Sequence, residues 1–151
     1  MTRIDFYHLQ KSTVEEALPK ILEKAFASGK KILIKVGTED RVEFLNTALW
    51  GYDEQSFLPH GSKKDGNAEM QPIWLTSGED NPNNAVLLFL TDGASVNIKN
   101  LGAFERVLNL FDGNSEESLS QARAFWKEVK AEGMECFYWQ QDDNGAWKQK
   151  A

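Results

Sequence analysis

Ile4 to Leu9 opens the chain as an apolar and aromatic run with polar interruptions, the pattern of a strand entering a core. Thr13-Val14-Glu15-Glu16 then has the Thr-x-x-Glu form of a capping box. Ala17, Leu18, Ile21, Leu22, Ala25 and Phe26 repeat at helical spacing behind it, so a helix is predicted to Ser28, stopped by Gly29. Pro19 falls inside this helix and removes one backbone bond, which predicts a bend or an irregular first turn. Lys31 to Val36 is a β-branched run bounded by glycines and reads as a buried strand. Gly37 and Thr38 open a second helix to about Leu49, with Val42, Leu45 and Leu49 inward and Asp40, Arg41 and Asn46 outward. The order strand, helix, strand, helix implies an α/β fold with a parallel sheet and right-handed crossovers.

Ile73 to Thr76 and Val86 to Thr91 add two strands, the second apolar at nearly every position, as expected of a central strand covered on both faces. Glu105 to Leu110 reads as a further strand before the Asp112-Gly113 turn. A third helix is predicted from Asn114 or Ser115 to Glu132, stopped by Gly133. Glu135 to Gln141 and Ala146 to Lys150 form a terminal hairpin around Asp143, Asn144 and Gly145. Gly78 to Asn84 is a polar loop, and Lys63 to Ala68, with nothing to bury, is predicted to be the most mobile one. A length of 151 residues lets one domain, residues 1–151, bury a core without metal or disulfide staples.

Charge and cysteine usage narrow the function classes. A net charge of −6 argues against a surface built as a whole to hold nucleic acid, so any basic site is local. The single cysteine, Cys136, excludes an internal disulfide and a Cys-rich zinc site, and fits a cytoplasmic protein. Ala85 to Leu90 is far too short to cross a bilayer, so no membrane association is expected. The glycine-rich phosphate cradles G-x-G-x-x-G and G-x-x-x-x-G-K-[ST] are both missing. Thr91-Asp92-Gly93 is the nearest remnant of a site at the carboxyl edge of the sheet, and Asp-Gly is also a common tight turn. His8, at a strand end, reads as a packed or capping residue and His60 falls in a Pro-His-Gly turn; neither belongs to a catalytic or metal signature. Cys136, in the aromatic run Cys136-Phe137-Tyr138-Trp139, reads as a core thiol. No catalytic residue, cofactor or metal is expected.

Two constellations carry information. On the third helix Leu119, Ala122, Phe125, Trp126 and Val129 make the stripe facing the sheet, while Arg123, Lys127 and Lys130 make a basic stripe beside its Trp126 edge. Positive charge meeting aromatic surface in an acidic protein suits a short ligand with several carboxylates and one apolar anchor. The competing reading is a solvated basic flank paired with the helix's glutamates. The second cluster, Ala48-Leu49-Trp50-Gly51-Tyr52 with Ser56-Phe57-Leu58-Pro59-His60-Gly61, is either an exposed aromatic patch for a protein partner or plain core packing.

At these residues the chain resembles the chi subunit family of bacterial DNA polymerase III holoenzyme. The likeness runs through Phe6-Tyr7, Ser28-Gly29-Lys30-Lys31, Ala48-Leu49-Trp50 and Ser56 to Gly61, then Ala122-Arg123, Trp126-Lys127 and Gly133. It implies a Rossmann-like, three-layer fold without a phosphate loop and a non-catalytic adaptor. Such subunits join the clamp loader, through the psi subunit, to the acidic C-terminal tail of single-stranded DNA-binding protein, and meet DNA only indirectly. By this resemblance Arg123, Trp126 and Lys127 match the tail site, with Phe111 as an apolar lip and Lys130 as an added cation. Trp50 and Phe57 match the psi-facing aromatics. Two rivals remain: an enzyme or nucleotide-binding domain using the sheet edge near Asp92, and direct single-strand binding with Trp126 stacking on bases.

Overall fold

The computed structural model describes residues 2–52 and 58–151. Its first strand, β1 (Arg3–Leu9), leads into α1 (Val14–Phe26), where the backbone N–H of Thr13 donates to the Glu16 carboxylate at 3.0 Å, closing the Glu16 half of the expected box. That bond, with a second from the Thr13 hydroxyl, holds the Glu16 carboxyl below its ordinary value. α1 continues without interruption through a buried Pro19, so the proline removes a bond without ending the helix. β2 (Ile32–Val36) follows, buried at every position, and then α2 (Glu39–Trp50), whose N-cap Thr38 accepts from the Arg41 N–H at 3.3 Å. The rest of the chain forms β3 (His60–Ser62), β4 (Ile73–Thr76), β5 (Leu87–Thr91), β6 (Arg106–Asp112), α3 (Glu116–Ala131), β7 (Glu135–Gln141) and β8 (Trp147–Gln149).

The strands make one sheet in the order β3-β4-β2-β5-β6-β1-β7-β8, parallel at each pairing except the terminal β7/β8 hairpin. Period-two alternation separates two cores. Tyr7 and Leu9 of β1 join α1 and α2 on one face, and Ile4 and Phe6 join α3 on the other. The result is a three-layer Rossmann-like α/β architecture, with β5 buried along its whole length as its unbroken apolar run requires. No helix among the described residues is long and apolar enough to cross a membrane.

Two local expectations are corrected. His60 lies in the short strand β3 and not in a turn; it is buried, with Nδ1 2.6 Å from the Leu58 carbonyl and Nε2 3.2 Å from that of Asn46. Asn46, expected to face outward, is buried, because β3 covers that side of α2; its amide donates to Asp65 at 2.9 Å. Lys63 to Ala68 is largely exposed, and within it the Asp65 carboxylate also accepts from the Ser62 N–H at 3.0 Å, which keeps the carboxyl below its ordinary value. β6 runs on to Asp112, which puts Phe111 inside a strand.

Candidate interaction site

α3 is set by its ends. The Ser115 hydroxyl accepts from the Ser118 N–H at 3.2 Å, Glu116 and Glu117 stand in the first turn, and Lys130 stands in the last, each sign matching the helix dipole. At the C-terminus Gly133 adopts φ +77°, a left-handed conformation that stops the helix and lets Met134 N–H reach back to the Val129 carbonyl at 3.1 Å. Ala122 and Val129 are buried against the sheet, while Leu119, Phe125 and Trp126 pack on the same core only partly covered. The predicted apolar stripe is therefore sealed along its centre and open along its Trp126 edge.

That edge, the candidate notch, is a cluster of packed aromatic rings. The Trp126 ring meets Phe6 edge-on at 5.1 Å and Tyr138 at 5.8 Å, and Lys130 Nζ lies 5.2 Å from the Trp126 ring centre, a cation–π distance. Phe111, the residue matched by resemblance as a lip, is 6 % exposed and packs beneath His8 at 5.2 Å and Tyr138 at 6.1 Å. His8 and Tyr138 complete the notch, joined by a 2.8 Å contact between His8 Nδ1 and the Tyr138 hydroxyl. Arg123, Lys127 and Lys130 are exposed beside it. Burial, and after it the positive charge of Arg123, hold the His8 imidazole below its ordinary value, with Asp112 acting in the opposite sense. Burial pushes the Tyr138 phenol up, and Arg123 opposes this. Arg123 therefore projects its field into the notch.

His8 and Tyr138 escaped the sequence reading because both depend on strand order. Parallel pairing of β1 with β6 sets His8 opposite Phe111, and pairing of β1 with β7 sets Phe6 opposite Tyr138. The glycine of the Asp112-Gly113 turn is explained by the same cluster, since a Cβ on Gly113 would come within 2.1 Å of the His8 ring and 2.6 Å of the Leu9 carbonyl. Cys136 is buried on this face, which pushes its thiol up, as befits a core position.

The second candidate cluster is seen only in part. Trp50 ends α2 at 54 % exposure, its ring 4.1 Å from that of His60. Phe57 lies outside the described residues. Asp92, the rival centre, forms a tight turn with Gly93: both have positive φ, and the Ala94 N–H donates to the Thr91 carbonyl at 3.0 Å. Its carboxylate accepts from Arg41 Nε at 3.0 Å. Gly37 presses so closely on this turn that a Cβ there would overlap the Asp92 carbonyl. A cavity of about 320 Å³ does open between this turn and α3, and the charged side chains around it are Asp92, Asp112 and Glu128.

Residues 1–136 match the family model described as DNA polymerase III chi subunit, HolC. The chain is 30% identical, over 158 aligned positions, to the probable DNA polymerase III subunit chi of Rickettsia prowazekii (strain Madrid E), covering 100% of this chain and 93% of the relative. It is 29% identical over 92 positions to the DNA polymerase III subunit chi of Pseudomonas aeruginosa, covering 58% and 63% of the two chains. With a family match over nine-tenths of its length, on the sheet and helices just described, the chain belongs to the DNA polymerase III chi subunit family.

Proposed function

We propose that this subunit is a non-catalytic adaptor that links the clamp loader, through a psi-type partner, to the acidic C-terminal tail of single-stranded DNA-binding protein. One observation carries the reading: a protein of net charge −6 gathers Arg123, Lys127 and Lys130 beside a partly exposed aromatic cluster of Trp126, Phe111, Tyr138 and His8. A tail that ends in an apolar residue after several aspartates needs one side chain buried and several carboxylates met by cations. The guanidinium of Arg123 can take a carboxylate through two parallel bonds, while the lysines act as exposed point charges. Trp50, exposed yet fixed against His60, is suited to be an aromatic anchor for the psi-type partner, as Phe57 is by resemblance.

Charge weighs against a phosphate ligand at the sheet edge, the rival reading. A phosphate in the cavity beside Asp92 would meet Asp92, Asp112 and Glu128, and Arg41 is already held by Asp92 and Glu15. Retention of single-stranded DNA-binding protein on the immobilised subunit tests the adaptor reading. Retention should require the C-terminal tail; equal retention of a tail-deleted protein, or retention that tracks bound DNA, would contradict it.

A further inference from the structure

A different groove lies on the opposite face of the sheet from the notch. It runs between α1 and the β6-β1-β7-β8 side, a cavity of about 710 Å³ floored by Tyr7, Leu108, Trp139 and Trp147. We propose that this groove docks a short acidic segment of a partner protein carrying one apolar anchor, independently of the notch on α3.

The floor is apolar and already rigid. Trp139 donates its indole N–H to the buried Asp5 at 2.9 Å and stacks on Tyr7, with ring centres 6.4 Å apart and planes 12° apart. Trp147 meets Tyr7 edge-on at 5.1 Å. Both indoles pack on the α1/α2 core yet stay only partly buried. Rings held in this way lose little freedom when a ligand covers them.

The rim is basic. Lys20, Lys24, Lys30 and Arg106 line the groove together with Glu105; Lys30 is held by Glu105 at 2.6 Å and Arg106 by the buried Asp5 at 2.8 Å, which leaves Lys20 and Lys24 as the exposed cations facing a ligand. Lys20 and Lys24 are exposed and stand one turn apart on α1, about 6 Å along the axis. In a chain of net charge −6, a cationic rim over an aromatic floor complements an anion with an apolar anchor. Glu105 lines the groove on one side and Gly145 on the other, the latter in a turn that also carries the carboxylates of Asp142 and Asp143. A continuous polyanion extending past the groove would approach Glu105 and that acidic turn, which favours a short acidic peptide over a nucleic-acid strand. Trp139 and Trp147 both lie beyond residue 136, where the family match stops.

The test uses the full chain and a labelled, amidated peptide of four aspartates around one phenylalanine, followed by anisotropy. Titrations are made in an Arg123→Ala/Lys127→Glu background, which silences the α3 flank. Binding should persist there, weaken at least tenfold when Lys20→Glu/Lys24→Glu is added, and weaken comparably with Trp147→Ala. Lys20 and Lys24 are exposed, so their reversal leaves folding intact. Loss of all binding in the background alone overturns the second site while leaving the α3 reading standing. Tighter capture of oligothymidylate by the same residues assigns the groove to nucleic acid, and a dimer dissociated by Trp147→Ala assigns it to a second copy; either result also overturns the proposal.

Discussion

Replacing Asp5 by asparagine removes a charge that the fold has enclosed. Asp5 is fully buried and accepts from Arg3 Nε and a terminal guanidinium nitrogen at 3.0 Å each, from Arg106 Nε at 2.8 Å, and from Trp139 Nε1 at 2.9 Å. Burial by itself would raise this carboxyl; the bonds from Arg3, Arg106 and Trp139 outweigh it and hold the group below its ordinary value. In Asp5→Asn one acceptor becomes an NH₂ facing donors. Breaking a buried ion pair costs about 3–5 kcal/mol, and the lower end applies because Arg3 and Arg106 are 40% and 36% exposed and can turn to water. A loss of about 3 kcal/mol corresponds to roughly 6–12 °C in Tm for a chain of this size. Because the folded carboxyl lies below its unfolded value, its contribution is fully present above the unfolded pKa of about 3.9 and disappears as pH falls through the folded one. Urea unfolding of both proteins from pH 7 down to pH 3 should therefore show a gap that narrows in acid. A gap below 1 kcal/mol at pH 7, or one unchanged at pH 3, would refute the reasoning.

Further outcomes follow from the same contacts. Trp50→Ala should change stability by no more than about 0.5 kcal/mol, as for an exposed side chain, yet weaken association with a psi-type partner by about 2 kcal/mol; calorimetry of both equilibria separates the two. Gly113→Ala drives a methyl into the His8 ring and the Leu9 carbonyl, and should cost about 1–3 kcal/mol in denaturant unfolding. A carboxylate bound at Arg123 offsets the positive charge that helps hold His8 low, so an acidic peptide should raise the His8 pKa in an NMR titration. By linkage, binding then tightens as pH falls through the His8 range.

Much of the fold was legible because it rests on local pattern. The unbroken apolar run of β5 marked a central strand, the Thr13–Glu16 pair marked a helix start, and the α3 wheel separated the basic flank from the buried stripe. β3 was missed because His60-Gly61-Ser62 has no apolar alternation, and its burial comes from α2 and β4, which also explains the inward Asn46. The cations and Trp126 of the site were visible on one helix. Phe111 entered by resemblance, but His8 and Tyr138 did not, since they join it only through the strand order β6-β1-β7. The Asp5 cluster was hidden for the same reason, as Arg106 and Trp139 reach it across two strand pairings.

The adaptor reading is tested most directly by titrating the acidic tail peptide of single-stranded DNA-binding protein against the wild type, Arg123→Ala, Lys127→Glu and Trp126→Ala at two salt concentrations. Arg123→Ala and Lys127→Glu should each weaken binding, the first by removing a bidentate partner and the second by reversing an exposed charge. Wild-type affinity should fall as salt rises, because the exposed charges are screened over about 8–10 Å. Trp126→Ala should weaken binding at both concentrations, since its contact is apolar. Unchanged affinity in all three folded variants would contradict the site.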